Sequence, residues 1–142
     1  MSVPTCVCVV DASVAAQLFV PEPLSAQARL LFSLLANAGS VYHVPDLFYA
    51  ECANIFWKKV QRGVCSATQA EQALADLVEL PLQPTPTMDL SRDALSLALT
   101  HGSTAYDACY VAFANRLSVP LITADENVLA WESELVRQDA RL

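Results

Sequence analysis

Residues 103–129 read STAYDACYVAFANRLSVPLITADENVL, and the order of patterns within them decides the fold. Thr104 stands where a helix N-cap belongs, and a helical run follows it to about residue 117. Residues 119–123 (VPLIT) then form a short β-rich apolar run, the mark of a strand covered on both faces. An acid, Asp125, follows close behind. At the other end of the chain, residues 6–10 (CVCVV) have the same character, and they too run into an acid, Asp11, with Ser13 two places on.

Between these runs lie helical patterns at roughly 12–19, 25–37, 46–62, 66–79 and 89–101, with a last short one from about 126. Ser25, Asp46 and Ser66 stand beside Thr104 as expected N-caps, and Gly39, Gly63 and Gly102 as helix stops. Ala70, Ala73, Leu74, Leu77 and Val78 make an apolar stripe that predicts a helix lying on a core. Weaker strand candidates are 41–44 (VYHV) and 80–84 (LPLQP). Strands separated by helices predict an α/β chain of three layers, α/β/α, with a mainly parallel central sheet. No repeat, low-complexity tract or linker interrupts the pattern, so one domain spanning residues 1–142 is expected.

Composition narrows the chemistry. The chain is 54% hydrophobic and carries a formal net charge of −7, so it has no diffuse basic field to draw it onto a polyanion. If it binds one, positive charge must come from elsewhere, and an excess of acids makes divalent metal a natural supplier. Cysteines at 6, 8, 52, 65 and 109 form no CxxC pair, and the first residues lack the basic and apolar regions of a secretion signal. Reduced thiols and a cytoplasmic location are therefore expected, with Cys6 and Cys8 acting as small buried hydrophobes. No apolar stretch is long enough to suggest a membrane span.

In folds of this class the working site lies outside the carboxyl ends of the strands. Asp11 and Asp125 end the first and last strands, so they reach the same edge of the sheet if those strands are close together. Two more acids keep unusually apolar company: Glu51 in LFYAECANIFW and Asp107 in AYDACYVAFA. A carboxylate in such a setting needs a cation, a hydrogen-bond network or a metal-centred cluster. Each acid also has a plainer reading: Asp11 and Asp125 as helix caps, Asp107 as the partner of Thr104 in a capping box, Glu51 as solvated beside Lys58. All four being coincidental is harder to accept than any one.

At these residues the sequence resembles the PIN-domain nucleases, and among them the small VapC-type ribonuclease toxins of bacterial and archaeal toxin–antitoxin pairs. VVDASV resembles the family's opening strand and first acid, PDLFYAECANIFWK its segment carrying a helical Glu, and residues 103–129 its third and fourth motifs in unbroken order. The resemblance covers nearly the whole chain. It implies a catalytic and metal-binding quartet of Asp11, Glu51, Asp107 and Asp125, with Ser13 and Thr123 as supporting hydroxyls. It also implies RNA as substrate, cleaved to 5′-phosphate and 3′-hydroxyl ends, a small antitoxin protein as partner, and a homodimer.

The chemistry agrees. Phosphodiester hydrolysis needs positive charge against the phosphate and a water made nucleophilic, and converging hard oxygen ligands suit Mg²⁺ or Mn²⁺, one ion or two. Asn127, where a further acid would help a second ion, leaves that number open. His43 and His101 are not needed and are expected to be structural. Lys58 and Arg62 lie seven and eleven residues beyond Glu51 on one helix face and are candidate phosphate contacts, with Lys59 and Arg116 as further ones. Lys58, Lys59 and Arg62 equally suit a helix C-terminus.

Three other functions remain to be weighed. A phosphoryl-receiver site would need a second acid near Asp11 or a lysine near the last strand, and a dinucleotide site would need a glycine-rich turn after CVVD; the chain has neither. A PIN-like module that only binds protein is compatible with the fold, and metal binding separates it from a nuclease. The aromatic residues Phe19, Phe32, Phe48, Tyr49, Phe56 and Trp57 on the early helices suit a core or a partner surface.

Overall fold

The computed structural model describes residues 3–19 and 22–125. Among the described residues a four-stranded sheet carries the order β3-β2-β1-β4, and every neighbouring pair is parallel. Its strands are β1 (Val7–Val10), β2 (Val41–Pro45), β3 (Gln83–Thr85) and β4 (Leu121–Ile122). The first and last strands among the described residues are therefore adjacent, with Val9 opposite Leu121 and Val10 opposite Ile122. Cys8, Val9 and Val10 are all buried although alternate residues face opposite sides, so helices cover both faces of β1.

The helices are α1 (Ala12–Phe19), α2 (Ser25–Ser33), α3 (Leu47–Gln61), α4 (Ala67–Val78), α5 (Ser91–His101) and α6 (Ala105–Leu117). They fall into two packed groups: α1 touches α2 and α3, and α3 touches α4, while α5 pairs with α6, which lies on β1 and β2. Seven consecutive residues of α6, Ala108 to Ala114, are buried. A helix apolar all round belongs in a core. The stripe on α4 does as its spacing predicts, with Ala73 and Leu77 buried and Ala70 and Leu74 packed against the core. Val78 is the exception and is exposed.

Several boundaries move from their expected places. The pattern at 25–37 is α helix only to Ser33, then a 3-10 turn over Leu34–Ala36. The strand expected at 80–84 forms at Gln83–Thr85, where parallel pairing with His43, Val44 and Pro45 is available. Pro84 is tolerated there because β3 is an edge strand, with a single side to bond. Helix α5 begins at Ser91, after a 3-10 turn over Thr87–Leu90. The helix expected from about 126 lies outside the described residues.

The expected caps divide. Ser66 makes a full capping box with Gln69, and the Thr104 hydroxyl accepts from the Asp107 amide at 3.2 Å. Ser25 opens α2 from inside the helix, and its hydroxyl accepts from the Glu22 amide at 2.8 Å. Asp46 holds the N-cap position of α3 without capping it, because its carboxylate accepts from the Thr87 amide (2.8 Å) and hydroxyl (2.6 Å). The Thr87 hydroxyl in turn accepts from the Leu47 amide at 2.9 Å, so the helix is capped across the chain. Gly102 terminates α5 at φ 69°, a left-handed conformation open to glycine at no steric cost.

Among the aromatics, Phe32, Phe48 and Phe56 are buried, Phe19 and Tyr49 pack at the core margin, and Trp57 is exposed. His43 sits edge-on to Phe113 with ring centroids 5.8 Å apart, and burial holds its pKa below the ordinary value, as suits a structural histidine. The five cysteines are free thiols; Cys8, Cys52 and Cys109 are buried, and burial raises the pKa of each.

Candidate active site

Parallel β1 and β4 bring Asp11 and Asp125 to one edge of the sheet, and the loops there are tied together. The Asp11 amide donates to the Ile122 carbonyl at 3.0 Å, extending the ladder one step past the strands. One carboxylate oxygen of Asp11 accepts from the Thr123 hydroxyl at 2.7 Å and from the Ser13 hydroxyl at 3.0 Å. Those hydroxyls also receive backbone amides, Ala124 on Ser13 and Asp125 on Thr123, each at 3.0 Å. Ser13 and Thr123 thus orient Asp11 and stitch the end of β4 to the start of α1.

Asp11 is 6% exposed, and besides Ser25 it is the only buried polar residue among those described. Burial raises its pKa; the Thr123 and Ser13 hydrogen bonds pull it down, and the charge of Asp125 pushes it up again.

Glu51 comes to the same edge on the second turn of α3, which starts just beyond β2. Its Oε1 accepts from the Tyr110 hydroxyl at 2.5 Å. Burial raises the Glu51 pKa, the Tyr110 bond opposes this, and the charges of Asp11 and Asp107 add to it. Asp107 sits on the first turn of α6, its pKa raised by burial and then by the charges of Asp125 and Asp11. The four acids foreseen from sequence therefore meet closely enough for their charges to raise the pKa values of Asp11, Glu51 and Asp107.

Tyr110 was not foreseen. It is buried, and burial followed by the Glu51 charge pushes its own pKa up, so it stays protonated and donates. Its signal in the sequence was a tyrosine in an otherwise apolar helix, where a buried hydroxyl has to find an acceptor.

The arrangement is open. Among the described residues no three His, Cys, Asp or Glu side chains form a ready-made metal cage. Mg²⁺ seldom requires one: it keeps several waters and takes one or two carboxylates together with phosphate oxygens. Asp11, Glu51 and Asp107, clustered carboxylates with raised pKa values and no cation salt-bridged to them among the described residues, are the donor set such an ion fits.

The basic candidates are not gathered with the acids. Lys59 forms an ion pair with Glu22 and is largely covered. Arg116 bonds the Asp89 carbonyl at 2.9 Å and the Asp93 carboxylate at 3.1 Å, about 13 Å of helix away from Asp107. Lys58 is exposed on α3, and Arg62 is exposed as that helix's C-cap.

A sheet of this order with acids gathered at its carboxyl edge defines the class. Residues 8–130 match the PIN domain family, and the chain belongs to it. Ribonuclease VapC3 of Pyrobaculum aerophilum is 38% identical over 122 residues, which cover 84% of this chain and 90% of that protein. Ribonuclease VapC12 of Mycobacterium tuberculosis is 33% identical over 118 residues, covering 82% and 85%. In fold, the chain is similar to the crystal structure of VapC20 from M. tuberculosis, a sarcin-ricin loop cleaving toxin (TM-score 0.67, 18% identity, covering 87% of this chain and 93% of that one). It is also similar to PAE2754 from P. aerophilum (TM-score 0.64, 24% identity, covering 96% and 90%).

Proposed function

We propose that this chain is an endoribonuclease of the VapC type, the toxin of a toxin–antitoxin pair, which hydrolyses RNA phosphodiesters with the help of Mg²⁺ or Mn²⁺. One observation carries the proposal: in a PIN-domain chain whose relatives are named ribonucleases, Asp11, Glu51 and Asp107, remote in sequence, have pKa values raised by burial and by one another's charge or that of Asp125 at a single edge of the sheet.

Asp11, Glu51, Asp107 and Asp125 would hold the metal. When bound, it supplies positive charge against the phosphate and lowers the pKa of bound water, by one ion or two. The protein's part is positioning. Ser13 and Thr123 hold Asp11 through one carboxylate oxygen, and Tyr110 aims Glu51 by a bond to Oε1. The protonated Tyr110 also offsets part of the Glu51 charge, which eases the crowding of acids before metal arrives. In-line attack by water would leave a 5′-phosphate and a 3′-hydroxyl.

Lys58 and Arg62 are the cations left exposed to contact phosphate along α3. An apolar groove between α3 and α4, lined by Trp57, Val60 and Leu74, supports an antitoxin segment as partner. Met88, Leu95 and Leu99 are exposed at a spacing that puts them on one side of α5 and its preceding turn, which supports a homodimer. No helix among the described residues is long and apolar enough to cross a membrane, which fits a toxin acting in the cytoplasm. A purely interacting module would gain nothing from four mutually repelling carboxylates that destabilise the empty protein.

The test is Mn²⁺-dependent cleavage of a mixed RNA pool by wild type and Asp11→Asn, with the ends mapped. Wild type should cut and leave 5′-phosphates, and the variant should not. Equal cleavage by both, or undiminished cleavage in excess EDTA, would refute the proposal.

A further inference from the structure

The chain has four tyrosines, and three are engaged: Tyr42 donates to the Leu31 carbonyl, Tyr49 packs on Phe48 and Tyr110 holds Glu51. Tyr106 is 63% exposed, with neither a hydrogen bond nor a ring partner among the described residues. It sits on the first turn of α6, its Cα one peptide step, about 3.8 Å, from that of Asp107. It also lies four residues before Tyr110, hence on the same helix face and one turn nearer the helix start. Because Tyr110 on that face reaches Glu51, the Tyr106 position falls at the rim of the acid edge, one turn from Tyr110.

This inference rests on the RNA-cleaving reading above and adds a substrate contact to it. An edge of carboxylates in a chain of net charge −7 repels the strand that it must hold. Lys59 and Arg116 are bonded elsewhere, and Lys58 stands about 10 Å of helix beyond Glu51. Beyond the metal that the acids would hold, no lysine or arginine among the described residues is ion-paired with Asp11, Glu51 or Asp107, so further affinity there calls for an uncharged contact. An exposed aromatic ring provides it, since a nucleobase has an apolar face that stacks whatever its sequence. Only an unpaired base can be splayed onto such a ring. We propose that Tyr106 is a stacking platform for a base flanking the scissile phosphate, and that it directs the enzyme to single-stranded RNA.

The experiment uses the full chain with Mg²⁺ and short single-stranded RNA, carrying Asp11→Asn so that RNA is bound without being cut. Tyr106→Ala should weaken binding about tenfold, within the range of roughly 5- to 150-fold expected for one lost stack. Tyr106→Phe and Tyr106→Trp should stay within about twofold, because the ring and not the hydroxyl matters. The alanine penalty should vanish on the one oligonucleotide in a series that is abasic at the stacked position. The slope of affinity against salt should not change, since no phosphate contact is lost. In the active enzyme, Tyr106→Ala should raise KM and leave kcat and thermal stability near those of wild type.

Equal binding by Tyr106→Ala and wild type on every oligonucleotide would overturn the stacking role. So would a phenylalanine variant as weak as alanine, or a penalty that persists on every abasic strand. Loss of binding to a protein partner with RNA affinity intact would reassign Tyr106 to a protein interface. If wild type cuts RNA while Tyr106→Ala keeps its KM, stacking alone fails. If wild type neither binds nor cuts RNA, the ribonuclease reading fails and takes this inference with it.

Discussion

Two aspartates in this molecule are built almost alike and behave in opposite ways. Asp11 follows β1 and Asp46 follows β2, and each precedes a helix. The amide of each bonds a carbonyl at the end of the adjoining strand, Ile122 for Asp11 and Thr85 for Asp46. Each carboxylate accepts a threonine hydroxyl from beyond that strand, Thr123 at 2.7 Å and Thr87 at 2.6 Å. Asp46 stands in solvent, so the Thr87 bonds lead and hold its pKa below the ordinary value. Asp11 is buried beside other acids, so desolvation leads and its pKa rises despite the same kind of bond. Local hydrogen bonding is therefore not what separates the two carboxylates; exclusion of water and like charge do so. Asp46 works as a clasp between β3 and α3.

The largest expected difference between the two is in catalysis. Asp11→Asn should lower Mn²⁺-dependent RNA cleavage by about 100-fold or more, while Asp46→Asn should stay within about threefold of wild type, both read from initial rates. Comparable losses from the two would dissolve the distinction.

Next in size is the response to metal. Saturating Mg²⁺ or Mn²⁺ should raise the Tm of wild type and of Asp46→Asn by several degrees, because an ion that binds only the folded state stabilises it, by about 2.7 kcal/mol at 100 times its Kd. Asp11→Asn and Asp107→Asn should lose most of that rise. Calorimetry with and without the ion gives the answer.

Without metal, the pH dependence should separate the two kinds of acid by sign. Asp107 has a raised pKa in the fold, so its contribution is complete below the ordinary carboxylate value near 4 and is lost as pH climbs through the raised value. Asp107→Asn should therefore gain on wild type in that window, with a higher Tm at pH 7. Asp46 has a lowered pKa, so its contribution is present above the ordinary value and fades as pH falls through the lowered one. Asp46→Asn should accordingly lose ground to wild type as pH rises through that lower window. Denaturation midpoints across pH would expose slopes of equal sign, if that is what they are.

The smallest effects concern the threonines. Thr123→Val and Thr87→Val should each cost about 1 kcal/mol of stability, the worth of an ordinary hydrogen bond, measured by urea unfolding. Only Thr123→Val should also slow cleavage, because only Thr123 orients an acid of the site.

Much of this was legible in residue order. Cys8, Val9 and Val10 had to be strand interior because no polar residue interrupts them, and Glu51 and Asp107 stood out as acids amid apolar neighbours. Asp46 could be read as a cap from its place before α3, and it occupies that place; its use by Thr87, forty-one residues away, has no local signal. Glu51 likewise says nothing of Tyr110, nor Lys59 of Glu22, because each partner arrives on an element whose position depends on packing. The shift of β3 to Gln83–Thr85 has the same origin, since an edge strand begins where its neighbour offers hydrogen bonds.

Periodicity and residue chemistry alone determined the succession of strands and helices, and marked which acids were out of place, because both follow from neighbours along the chain. Strand order, the side-by-side placement of β1 and β4, and the resulting encounter of Asp11, Glu51, Asp107 and Asp125 were decided only in three dimensions. A carboxylate's ionisation depends on the water and charge within a few ångströms of it, and folding alone brings those together.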